Sequence, residues 1–196
     1  MKNLVFVLLL LLPGFARADS FPALYDVTGV AAHDTLNVRS DSHAGAAKLG
    51  ELAHDASDVE VIRVQSGWGL VNLGEVSGWA SLHYLQRQES GDYVFSRHFA
   101  CHGTEPFWSL KVTQGLSAKL SQPDAMDINY HVGLVQTSFN HTNRHSLTGT
   151  SPEGGLYAVL KPVACSDGMS DSQYGIEIDI LLDGSHISGC CSLVSH

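Results

Sequence analysis

Positive charge is what this 196-residue chain has least of: 11 Lys and Arg stand against 20 Asp and Glu, a formal net charge of −9 with His neutral. That balance argues against a nucleic-acid or anionic-membrane surface, which needs clustered Lys and Arg. Cationic partners are allowed by it but not required. Long apolar runs are scarce too. The one run, Leu4 to Leu12, is too short to span a bilayer comfortably, so no membrane span is expected in the mature form. Lys2 precedes it, Pro13-Gly14 breaks it, and Ala16-Arg17-Ala18 matches a small-x-small cleavage site. The expectation is a cleaved signal peptide over residues 1–18 and a periplasmic or secreted protein beginning at Asp19. No Cys follows the run to take a lipid. Losing Lys2 and Arg17 leaves a net charge of about −11. Helical periodicity is missing as well: no segment keeps a 3.6-residue period over three turns, which leaves an all-β chain. Without a Cys-x-x-Cys pair, dithiol redox chemistry has no foothold, and without His-Glu-x-x-His the 11 histidines have no metalloenzyme pattern.

What is present is a succession of short strands. Thr35-Leu-Asn-Val-Arg-Ser40 alternates cleanly, with Leu36 and Val38 on one face, and Asp58-Val-Glu-Val61 does the same through its valines. Two Gly-Trp steps, Gly67-Trp68 and Gly78-Trp79, each open a run of strand-forming residues. Gly weakens a strand and Trp is costly to leave in water, so the repeated step implies a tight bend that delivers an aromatic ring onto a small sheet. His83-Tyr84-Leu85 closes the set. Strands this short, separated by turn residues, predict a small, highly curved barrel.

Leu36-Asn37-Val38-Arg39-Ser40, Leu49-Gly50-Glu51-Leu52, Gly67-Trp68, Gly78-Trp79 and Tyr84-Leu85, in that order, resemble the bacterial SH3-type domain, SH3b. The departures are Ala80 where Val is usual and a loop after Arg39 without the usual Gly-Pro. The resemblance implies a five-to-six-strand barrel over residues 24–86 of the kind that targets exported proteins to a peptidoglycan peptide or an envelope protein. Trp68, Tyr84 and Trp79 are then candidates for an aromatic ledge, with Asn37 and Arg39 offering hydrogen bonds to a peptide backbone or carboxylate. The plainer reading of Trp79 is core. Residues 87–93, polar and containing Ser-Gly-Asp, read as a short linker.

The second domain, 94–196, is also β. Phe107–Val112 and Leu116–Leu120 alternate around Gln114-Gly115, and Gly175–Leu182 presents Ile176, Ile178, Ile180 and Leu182 to one side before Asp183-Gly184 turns the chain. Residues 122–153 hold the weakest strand signals. The expected architecture is an antiparallel barrel or sandwich. All four cysteines lie here, and an even count in an exported chain predicts two disulfides. Neighbours in a strand point to opposite faces, so Cys101 and Cys165 are each expected to pair with one of Cys190 and Cys191, in either combination.

Cys101-His-Gly-Thr-Glu-Pro-Phe-Trp108, Cys165-Ser-Asp-Gly-Met-Ser-Asp171 and Gly189-Cys190-Cys191 resemble a largely uncharacterised family of bacterial envelope proteins and lipoproteins. That resemblance implies kinship but no chemistry. Glu105 and Asp167 invite a paired-carboxylate hydrolase, but Asp167-Gly168 is also a turn signal. His141-x-x-x-His145 would share a face only on a helix, and its surroundings are loop-like. No catalytic residue, functional metal or cofactor is expected. The leading expectation is a non-enzymatic envelope protein that binds a wall peptide or protein partner. The alternative is an acidic inhibitor of a cationic lysozyme-like or other wall-degrading enzyme, drawn to it by charge.

Overall fold

The computed structural model describes residues 21–91, 93–182 and 184–193; the expected signal peptide lies outside them. The N-terminal region contains β1 (Ala23–Val27), β2 (Thr35–Arg39), β3 (Lys48–Ala53), β4 (Val59–Val61), β5 (Arg63–Gln65), β6 (Trp68–Leu73), β7 (Val76–Ser81), a 3₁₀ turn at Leu82–Tyr84 and β8 (Leu85–Arg87). The C-terminal region contains β9 (His98–Thr104), β10 (Phe107–Thr113), β11 (Ser117–Ser121), β12 (Ile128–Val132), β13 (Gln136–Thr137), β14 (His145–Ser151), β15 (Gly154–Lys161), β16 (Ile176–Leu182) and β17 (Ser185–Ser192). The chain is all-β, as its patterning requires.

The N-terminal region folds as a pair of antiparallel sheets, β4-β1-β8 and β3-β2-β7-β6-β5, that face each other. Period-2 alternation sends Ala23, Tyr25 and Val27 of β1 and Leu36 and Val38 of β2 inward, where they meet Val59, Val61, Val71, Ala80 and Leu85. The chain crosses between sheets at Ile62, whose N–H donates to the Leu70 carbonyl at 2.9 Å. The two Gly-Trp steps have different causes. Ser66 (φ 51°) and Gly67 (φ 81°) form the two-residue turn between the paired Gln65 and Trp68, a hairpin that needs positive φ at both places. Gly78 lies inside β7, where a Cβ would stand 2.6 Å from Val38 Cγ1 and 3.0 Å from the Arg39 carbonyl oxygen. One glycine turns the chain; the other lets two strands touch.

The C-terminal region is a closed eight-stranded antiparallel barrel rather than a sandwich, ordered β12-β11-β10-β9-β17-β16-β15-β14 and closed by β12 on β14 through His131–Thr150 and Val132–Gly149. Inward residues of every strand fill it, among them Phe99, Leu110, Leu120, Leu147, Leu156 and Leu160, with Ile176, Ile178 and Ile180 from the strongest strand signal in the sequence. Fully burying such side chains is worth roughly 1.5–3 kcal/mol each against leaving them exposed. The polar stretch 122–153 still supplies β12, β13 and all of β14, because closing the barrel needs β12 and β14 whatever their local propensity.

Both disulfides join the expected partners, and the structure resolves the combination: Cys101–Cys191 and Cys165–Cys190. Cys101 and Cys191 are directly opposite on β9 and β17, inside the barrel. Cys190, pointing the other way, ties down the segment leading to β16 through Cys165.

The two barrels share a seam. On one edge the β6–β7 hairpin receives the segment 171–173: Val76 pairs with Asp171, Asn72 Nδ2 donates to the Gln173 carbonyl at 2.8 Å, Gln173 N–H donates to Ser77 Oγ at 2.9 Å and Ser172 Oγ donates to the Gly74 carbonyl at 3.1 Å. On the other edge, Leu24 on the outer face of β1 packs against the large barrel's core, and Glu60 on β4 accepts a hydrogen bond from the Ser192 hydroxyl. Arg87, counted with the linker on sequence grounds, ends β8.

Candidate functional site

A cavity of about 500 Å³ opens on the small barrel. The β1–β2 loop, β2, the 41–47 loop, the first residue of β6 and the 3₁₀ turn build it, and Asn37, Arg39, Trp68 and Tyr84 all line it. Each is placed by a local rule. Asn37 and Arg39 alternate with the buried Leu36 and Val38, so they emerge on the opposite face of β2. Trp68 is presented by the Ser66-Gly67 turn. Tyr84 sits in the turn that β8 needs to change sheets; its carbonyl accepts the Thr28 N–H at 2.9 Å, and its ring meets His83 edge-on at 4.8 Å. Arg39 Nη1 donates to the Ala46 carbonyl at 2.8 Å, which ties the 41–47 loop to the rim.

Trp79 does not join them. It is 7% exposed and packs with Ile62, Leu70 and the partly buried Trp68, while the Arg63 guanidinium lies 4.7 Å above its ring. Its register partner is Arg39, so both emerge on the same outer face, but the tryptophan is covered by its own cluster and supports the strand that carries the site instead of lining the cavity. The site also contains residues that sequence reasoning missed: Asp34, Thr35 and Ser81. Asp34 Oδ1 accepts the Thr35 N–H at 2.8 Å, and Thr35 Oγ1 donates to Glu51 Oε2 at 2.9 Å. Lys48, bonded to the same carboxylate, is the main reason Glu51 is held below the usual carboxylate range, with Thr35 assisting. The available signal was Asp34 immediately ahead of the cleanest strand, with the polar Thr35 starting β2.

Chemically the arrangement offers two rings, a carboxamide, a guanidinium and a carboxylate around an open concavity. Rings in such a place cover apolar or sugar-like surface, the carboxamide bonds a peptide unit in both senses, and Arg39 and Asp34 suit a carboxylate and an ammonium respectively.

The second barrel presents its distinctive words differently. Gly103 sits opposite Trp108 in the β9–β10 pair, and a Cβ on it would lie 2.2 Å from Trp108 Nε1, so the glycine makes room for the indole. Glu105 is exposed in the β9–β10 turn. Asp167 Oδ1 accepts the Met169 and Ser170 N–H groups at 3.0 and 3.1 Å, and Oδ2 accepts the Ser170 hydroxyl at 3.0 Å and the Tyr174 hydroxyl at 3.4 Å. Burial works to raise this carboxyl, but the Met169 and Ser170 hydrogen bonds and His102, 3.8 Å away, hold it below the usual range. Such a carboxylate builds its own loop. His141 is exposed, whereas His145 is buried on β14 against Phe95, and burial lowers its pKa. Among the described residues no group of three or more His, Cys, Asp or Glu is placed to hold a metal ion, and no helix is long and apolar enough to cross a membrane.

No protein family, curated protein or solved structure matches this chain.

Proposed function

We propose that the protein is an exported envelope component, periplasmic in its working location, whose N-terminal barrel is an SH3b-type module that binds a peptidoglycan peptide or a protein partner without chemistry. The observation that carries this reading is the convergence of Asn37, Arg39, Trp68 and Tyr84 on one open cavity of about 500 Å³, within the ordinary range for ligand sites. A short wall peptide fits the chemistry of the lining: it carries amide groups for Asn37, a terminal carboxylate for Arg39 and an amino group for Asp34. The disulfides accord with an oxidising compartment. The large barrel, with a filled interior, acts as the rigid platform that carries the module.

The test is sedimentation of the mature chain with purified cell-wall sacculi at low and moderate salt. Wild type is expected to pellet at both, and the Trp68→Ala/Tyr84→Ala variant is expected to lose at least tenfold in affinity, about 1.4 kcal/mol or more for two contact rings. Failure of the wild type to pellet sinks the wall-targeting reading. The net charge of −9 favours a second reading, inhibition of a cationic wall-degrading enzyme. Salt-sensitive inhibition of such an enzyme that is unaffected by the Trp68→Ala/Tyr84→Ala change would select it.

A further inference from the structure

Asp58-Val59-Glu60-Val61 alternates as a half-exposed strand should, with its valines in the small barrel's core and its acids turned outward. Outward for Glu60, however, is into the seam. It is 8% exposed and lies directly across from Leu24, which packs on the large barrel's core. Its Oε2 accepts the Ser192 hydroxyl, and a backbone hydrogen bond from Leu193 reaches the same carboxyl. Among the described residues its Oε1 has no hydrogen-bond partner. An ionised carboxylate left with one bare oxygen in a buried seam is costly, whereas a neutral carboxyl tolerates the place far better.

We propose that Glu60 is a proton-operated latch on one edge of the seam: the neutral carboxyl holds β4 of the small barrel against the end of β17, and its ionisation loosens that edge while the β6–β7 clamp on residues 171–173 stays closed. The charged or titratable groups on the surrounding elements include Asp26 and the inward Tyr25 on β1, Asp58 beside β4, Arg87 on β8, His186 at the far end of β17, and Arg97 and His98 at the entry to β9, with Glu89 and Tyr93 lining the cavity on the same edge. The shift of Glu60 is set by none of these charges. Burial raises the carboxyl to about 7, with the Ser192 and Leu193 hydrogen bonds opposing.

The direction follows from linkage. Exposed, the carboxyl has its ordinary value of 4.5; buried, about 7. The closed edge therefore binds the extra proton. Its stability is complete below about pH 4.5, falls as pH rises and levels off above about pH 7. The clamp's cross-seam hydrogen bonds run between hydroxyl, carboxamide and backbone groups, which do not titrate in this range, so these bonds carry no such dependence. A cavity of about 650 Å³ lies on the Glu60 edge, with Leu24, Asp58, Arg87 and Leu193 in its lining, and it widens when that edge opens.

The experiment is amide exchange in the full mature chain, corrected for the intrinsic pH dependence of exchange, on wild type and Glu60→Gln. Protection of the Leu193 amide is expected to fall on the order of a hundredfold from pH 4.5 to 8.5 in wild type, while that of the Gln173 amide stays nearly level. In Glu60→Gln the Leu193 slope is expected to disappear. A carboxyl-carbon NMR titration of wild-type Glu60 needs no variant and is expected to show a midpoint near 7. A midpoint in the ordinary glutamate range, a pH-independent Leu193 amide, equal losses at both amides, or an unchanged slope in Glu60→Gln each overturns the latch.

Discussion

The two barrels achieve stability by different means. The large one closes on itself, fills its interior with Leu and Ile side chains and threads a disulfide through that core. The small one has a core of mainly Val and Ala around Tyr25, Leu36 and Leu85, contains none of the four cysteines, and leaves a concavity open on its surface. A domain of about sixty residues buries a smaller share of its surface and is marginal alone. The seam offsets this, since Leu24 and Glu60 count as surface for the small barrel, whereas in the whole molecule Leu24 packs on the large barrel's core and Glu60 is buried. The difference suggests a division of labour in which rigidity resides in one barrel and recognition in the other.

The largest expected effect tests the rigid half. Removing the Cys101–Cys191 bridge, which closes a sequence separation of 90, by Cys101→Ala/Cys191→Ala is expected to cost ~3–5 kcal/mol and lower the melting temperature by more than ten degrees. Loss of Cys165–Cys190, with a separation of 25, is expected to cost less but also to free the segment that carries Gln173 to the seam. Calorimetry of the two double variants checks both expectations. If neither changes the melt, the idea that covalent ties distinguish the halves is wrong.

The middle effect probes what connects the halves. Asn72 bonds both the carbonyl and, at 3.3 Å, the N–H of Gln173. Asn72→Ala is expected to cost about 1–3 kcal/mol, because it strands the partly buried Gln173 carbonyl, while the N–H keeps its bond to Ser77. Urea unfolding followed by the fluorescence of Trp68 and Trp79 against that of Trp108 separates the halves. The expected outcome is an earlier transition for the small barrel only; a single unchanged transition would show that the clamp contributes nothing.

Much of this division was legible in the residue pattern. Period-2 alternation identified Leu36, Val38, Ile176, Ile178 and Ile180 as core, and the opposite faces of adjacent strand residues separated Cys190 from Cys191. Alternation also placed Asn37 and Arg39 on an outer face, and they do line the cavity with Trp68 and Tyr84. What alternation cannot reveal is what covers an outer face. Trp79 shares its outer face with Arg39 yet does not line the cavity, because Ile62, Leu70, Trp68 and the Arg63 guanidinium cover it, contacts with no local signature. Glu60 reads as solvated in its own strand and is buried only because Ser192, more than a hundred residues away, lies on it. The strands within 122–153 are selected by barrel closure, which no single window of sequence contains.

The smallest effect sharpens the comparison through the sign of its pH dependence. On the outside of the large barrel Lys161 Nζ reaches Glu177 Oε1 and Asp179 Oδ2, each at 2.6 Å. The Lys161 bond is the leading reason the Asp179 carboxyl sits below its ordinary 3.8; burial opposes it, and Ser188 and His186 add to it. A depressed acid stabilises the fold above its unfolded pKa, and that contribution is lost as pH falls through the lower folded value. The trend is the reverse of that of Glu60, so acid is expected to loosen this surface pair while tightening the seam. Both partners remain partly solvated, which limits the net worth to at most about 1 kcal/mol. Lys161→Met is therefore expected to shift the urea midpoint slightly at neutral pH and low salt, less at high salt, and hardly at all near pH 2. A shift of equal size at both pH values would assign the effect to packing of the lysine stem and remove the electrostatic contrast between the two barrels.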